Sequence, residues 1–132
     1  MHIPTTITVI ARVEDTHHKT LPTALLRLSD QSTEHTFTRP GEEHRFTVTA
    51  EVRMPGHEIR LEFRDRVAAQ AAIQVIGVNV NGSPMGTRIY QCEYTPYDSQ
   101  ERLGSRLYMG LPGTWTLRLH PDDFRSTRFG FA

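Results

Sequence analysis

The segment YQCEYTPYDSQE, residues 90–101, gathers side chains able to do chemistry. It holds three of the four tyrosines, Tyr90, Tyr94 and Tyr97, together with the only cysteine, Cys92, and the acids Glu93, Asp98 and Glu101. A tyrosine joins an apolar ring to a hydroxyl, which suits a polyol or a protein partner. Pro96 keeps the segment off a central strand, because proline cannot donate to a sheet ladder. Tyr90, Tyr94 and Tyr97 are therefore the candidate ligand-binding residues. The competing reading is a loop that folds its rings over its own core. Cys92 as a nucleophile would need a paired base, and nothing beside it supplies one. A lone cysteine packed among apolar groups is the commoner arrangement.

Other chemistry is sparse. The seven histidines, at positions 2, 17, 18, 35, 44, 57 and 120, include no His-x-His or His-x-Asp pair that would place two ligands on one face of a strand. His17 and His18 are adjacent and would point apart, so no metal site is assigned to the histidines. Asp98, Glu101, Asp122 and Asp123 are loop acids without an EF-hand spacing. Calcium stays open as a ligand, and no other cofactor is expected. HPDDF at 120–124 reads more simply as a short helical turn with an aspartate satisfying backbone amides. The serines lie outside any nucleophile-elbow motif, and no catalytic residue is assigned. Trp115 shares strand parity with Leu117 and Leu119, which predicts a core position rather than a sugar platform.

The C-terminal tail, 120–132, carries Phe124, Phe129 and Phe131, three of the six phenylalanines. Chain ends are usually polar unless tied down. These rings are expected to complete the domain's own sheet or to contact a neighbouring subunit.

The elements that must position these residues are strands. Period-two alternation puts Ile7, Val9 and Val13 on one face of the first segment. It does the same for Phe46, Val48, Ala50 and Val52, for Ile59, Leu61 and Phe63, and for Trp115, Leu117 and Leu119. One buried and one wet face is the pattern of antiparallel sheets. Shorter strands are predicted at 24–28, 35–38, 73–81, 88–93 and 106–109. Within 73–81 the apolar phase switches between Val75 and Ile76, which predicts a bulge near Gly77. Pairing across Pro55–Gly56 sets Val52 against Ile59 and Glu51 against Arg60, which supports a hairpin. L-Pro-Gly, however, favours a turn other than the primed types of tight hairpins, so a distorted turn or divergence into two sheets remains open. NGSPMG at 81–86 is a further turn signal. Residues 67–72, VAAQAA, could form one helical turn.

The chain has 132 residues, the size of one ordinary domain. Formal net charge is zero, with fifteen basic and fifteen acidic residues, so nucleic acid is not an expected partner. No run of eighteen apolar residues provides a membrane span. The N-terminus reads as a first strand rather than a secretory signal, so a cytoplasmic or virion location is expected. A single cysteine cannot form an intrachain disulfide.

The expectation is an all-β chain, a single antiparallel β-sandwich over 1–132, jelly-roll-like, with about eight strands. IQVIGVNVNG and GTWTLRL resemble strand segments of small jelly-roll domains, namely carbohydrate-binding modules and accessory domains of bacteriophage virion proteins. That resemblance implies binding or assembly without chemistry. The first expectation is a non-enzymatic structural or binding module of a multi-subunit assembly, a virion decoration or tail component, with other protein subunits and a glycan as partners. The alternatives are a carbohydrate-binding module of a larger enzyme system and a small β-barrel metalloenzyme.

Overall fold

The computed structural model describes residues 2–14, 23–37, 41–53, 57–63, 72–96, 103–104, 108–109 and 113–124. In chain order the strands are β1 (His2–Glu14), β2 (Thr23–Leu28), β3 (Gln31–Thr36), β4 (Glu43–Arg53), β5 (Glu58–Phe63), β6 (Ala72–Val80), β7 (Ser83–Pro84), β8 (Glu93–Pro96), β9 (Leu103–Gly104), β10 (Tyr108–Met109) and β11 (Gly113–Arg118). Two 3-10 turns, Gly86–Gln91 and Pro121–Phe124, complete the described elements. Among the described residues β7, β9 and β10 are two-residue strands, leaving eight longer ones. The expected all-β architecture is the one observed.

The strands form two antiparallel sheets packed face to face. One has five strands, in the order β10-β6-β1-β4 with β7 also on β6; the other has six, in the order β3-β2-β5-β11-β8-β9. The alternation explains the packing. Phe46, Val48, Ala50 and Val52 of β4 all point inward while their neighbours are exposed. They meet a core built from Ile7, Val9, Leu26, Leu61, Phe63 and Trp115, each fully buried. Sheets packed this way bury one row of side chains from each strand and leave the other wet.

Two local predictions hold. Ile10 pairs with Gly77 and Ala11 with Val75, so Ile76 is the extra residue of a β-bulge. The bulge returns Val78 and Val80 to the inner face that Ile73 and Val75 occupy, and all four are buried. A Cβ at Gly77 would meet only Ile10 Cδ1, at 3.6 Å, so the phase switch comes from the added residue and not from crowding. Asn81 and Gly82, at φ 50° and 87°, turn β6 into β7. Asn81 also ties this turn to β1: its Oδ1 accepts from the Thr6 N–H at 2.8 Å, and its own N–H donates to the Thr6 carbonyl at 2.8 Å.

The hairpin across Pro55–Gly56 is a correction. β4 pairs with β1 in the five-stranded sheet, whereas β5 lies between β2 and β11 in the six-stranded sheet. The two strands therefore diverge into different sheets. Their apolar faces both look into the core, which is why their alternation matched. The charges that complemented each other across the imagined hairpin stand elsewhere: Glu51 lies opposite Pro4 of β1, and Arg60 opposite Thr116 of β11 and Arg27 of β2. The strand predicted over 88–93 is a second correction. Gly86–Gln91 is a 3-10 turn, and Cys92 donates its N–H to the Ile89 carbonyl at 3.2 Å. Ile89 is its buried residue, and Cys92, three further on, is buried just past its end, which fits the three-residue period of such a turn. The VAAQAA segment lies outside the described residues, apart from Ala72 at the start of β6.

Candidate functional site

One end of the sandwich carries the end of β2, the start of β5, the end of β11 and both 3-10 turns. The register places them together: Leu28, Ile59 and Leu117 are aligned across three adjacent strands. Past β11 the described chain leaves the sheet. It turns through Pro121–Phe124, with the His120 N–H donating to Asp123 Oδ2 at 2.7 Å and the Asp123 N–H donating to the His120 carbonyl at 2.9 Å. The aspartate in HPDDF thus closes the turn on its own backbone, as the motif predicts.

Asp123 is nearly buried and binds a second element. Arg88, in the turn Gly86–Gln91, donates from Nε to Asp123 Oδ1 at 2.9 Å and from Nη2 to Oδ2 at 2.6 Å. Arg88 also donates to the Gln91 side chain at 2.7 Å and to the Arg118 carbonyl. A guanidinium fork fits a carboxylate in this bidentate geometry, which fixes orientation as well as distance. The consequence is a rigid mount for the residue between Arg88 and Gln91 that faces outward. That residue is Tyr90, 54% exposed and the one large hydrophobic side chain exposed among the described residues.

The other expected contact residues part from it. Tyr94 is a correction: its ring is buried, at 3% exposure, opposite Trp115 in the β8–β11 pairing. The chain alternates into β8, so Cys92, just before it, and Tyr94 turn inward while Glu93 turns out. Tyr97 lies outside the described residues. The tyrosines therefore form no single platform among the described residues. Cys92 is buried, and burial pushes its thiol above the ordinary value, with a hydrogen bond to Trp115 pulling less strongly the other way. Such a sulfur packs as a small hydrophobe. Trp115 is fully buried, as its parity predicts.

Phe124 is 7% exposed and packs into the core of its own domain. It is therefore not a surface for a neighbouring subunit. Phe129 and Phe131 lie outside the described residues. Among the acids weighed for calcium, Asp123 is committed to Arg88. Asp98, Glu101 and the side chain of Asp122 lie outside the described residues. No group of three or more His, Cys, Asp or Glu side chains able to hold a metal ion occurs among the described residues. The described residues thus do not supply a calcium donor set. Among them no helix is long and apolar enough to cross a membrane.

Missed by the sequence reading was the pair His35 and His44, whose Nε2 and Nδ1 lie 3.0 Å apart. His35 stacks on Phe46 with ring centroids 4.7 Å apart, and Phe37 packs edge-on to both histidines. Their parity with Phe37 and Phe46 was the available signal.

No protein-family model and no curated protein sequence matches the chain. Two solved structures share its fold. One is vCBM60 in complex with galactobiose, with a TM-score of 0.58 and 19% identity over 86% of this chain and 97% of its own. The other is the selenomethionine form of vCBM60, described with circular permutation as an evolutionary link between two families of calcium-dependent carbohydrate-binding modules. Its TM-score is 0.58, with 20% identity over 86% of this chain and 90% of its own. The fold is thus a β-sandwich like that of carbohydrate-binding modules.

Proposed function

We propose that this chain is a non-catalytic glycan-binding module, with Tyr90 as a stacking surface for a sugar ring. The observation that carries the reading is the exposed Tyr90 ring on a turn locked by Arg88 and Asp123. The sandwich it stands on is shared with a module held in complex with galactobiose. A flat aromatic with a hydroxyl at its edge offers a sugar both an apolar face and a hydrogen bond. A virion role has no support here, since Phe124, one of the rings it rested on, serves the domain's own core. The calcium dependence of the vCBM60 families enters this reading only through acids outside the described residues.

A glycan microarray followed by calorimetry tests the proposal. The wild-type chain is expected to retain at least one oligosaccharide class. Tyr90→Ala is expected to weaken that binding about tenfold, the scale of one lost buried contact. No retention across the array, or full affinity in the Tyr90→Ala variant, would overturn it.

A further inference from the structure

On the outer face of the six-stranded sheet, a depression of about 260 Å³ is lined by Arg27, Ser29, His57, Glu58 and Arg60. Two of its features run against stability. Arg27 stands directly opposite Arg60 in the β2–β5 pairing, and like charges placed so destabilise a sheet. Ser29, in the two-residue connection from β2 to β3, has φ 56°. That left-handed conformation is the one a two-residue primed hairpin turn requires, and it is costly for a residue with a Cβ. Both unfavourable features border the same cavity.

The depression is also supplied with hydrogen-bond donors. Among the described residues, Arg27 is held through Nε by Glu62, and its two terminal amino groups take no partner. Arg60 touches Glu58 only loosely, at 3.6 Å, with both side chains well exposed. Ser29 and His57 also line it. A ligand oxyanion could take the terminal nitrogens of Arg27 and displace Glu58 from Arg60. Planar guanidinium forks match carboxylate and sulfate oxygens.

We propose that this depression is a subsite for an oxyanion, the carboxylate or sulfate group of an acidic saccharide. The proposal rests on the glycan-binding reading above and assigns that ligand a charge. The location agrees: Arg118 stands opposite Glu58, and its carbonyl accepts from Arg88, so the depression and the Tyr90 turn share one end of the sandwich.

The test is calorimetry with three probes: a tetragalacturonate, its carboxyl-reduced neutral counterpart, and a sulfated galactose tetrasaccharide. At least one charged probe is expected to bind about tenfold more tightly than the neutral one, and the preference should shrink with added salt. Arg60→Gln and Arg27→Gln should each abolish the preference. Arg45→Gln, an exposed arginine on the other sheet, should leave the preference intact and exclude a net-charge effect. Whichever charged probe is preferred identifies the oxyanion. Equal affinity for all three probes would overturn the subsite and leave the glycan-binding reading standing. Binding of none, or a preference that survives both arginine variants, would overturn the subsite alone, the glycan-binding reading being overturned only by the array test.

Discussion

Arg88 grips Asp123 through Nε and Nη2, at 2.9 and 2.6 Å, across 35 residues of sequence. The same carboxylate accepts the His120 N–H, so one buried acid holds two turns to each other. Replacing Asp123 by alanine strands both a half-buried guanidinium and a backbone donor. The Asp123→Ala variant is expected to lose about 2–3 kcal/mol of stability, below the full value for a buried pair because Arg88 keeps some contact with water. Urea denaturation measures the loss. An unchanged midpoint would show that the fork is ornamental, and with it the rigid mount assigned to Tyr90.

His35 on β3 and His44 on β4 join the edge strands of the two sheets, and this junction is expected to respond to pH. Burial, and then the neighbouring His44, lower the pKa of His35 below its ordinary value. The folded state therefore binds its proton less readily than the unfolded chain does. Stability from this group is complete above the unfolded histidine value, and it falls as pH drops through that value towards the lower folded one. Urea midpoints measured from pH 7.5 down to 5 should decline, and the decline should be shallower in His35→Gln. A variant that follows the wild-type slope throughout would assign the pH dependence to other groups.

Cys92 offers a probe of opening. Its sulfur is buried, and its thiol pKa is raised by that burial. Native protein should therefore react with a thiol reagent more than about a thousandfold more slowly than unfolded protein, since labelling requires the core to open. Rapid stoichiometric labelling of the folded chain would contradict the packing of Cys92 against Trp115.

Ser29 separates stability from binding. Glycine removes the Cβ penalty at φ 56°, so Ser29→Gly is expected to stabilise the fold by roughly 0.5–1 kcal/mol. The same change deletes a hydroxyl from the proposed oxyanion subsite and should weaken binding of the charged saccharide. Thermal denaturation and calorimetry on one protein sample read both effects. A variant that gains stability without losing affinity would remove Ser29 from the subsite.

Much of the architecture is legible in the chain because a strand's side-chain period is two. Phe46 to Val52, Ile59 to Phe63 and Trp115 to Leu119 announce their inner faces without reference to any partner. The phase slip between Val75 and Ile76 announces the bulge in the same way. The parity that buries Trp115 also buries Cys92 and Tyr94, and applied there it would have taken Tyr94 off the surface. Asp123 in HPDDF was readable as a local cap, because its partner lies only three residues away.

Pairing and convergence were not readable in this way. β4 and β5 have matching alternation, yet each hydrogen-bonds strands far away in sequence, since every strand presents the same backbone donors and acceptors to any neighbour. Alternation specifies a face and is silent on a partner. Likewise Arg88 meets Asp123, and Arg27 faces Arg60, only because two sheets and two turns bring distant segments to one end of the sandwich. Inward and outward positions were thus written in local order. The exposed Tyr90, the arginine depression and the histidine junction arise from the stacking of the sheets, which bury apolar rows and thereby decide which polar groups meet.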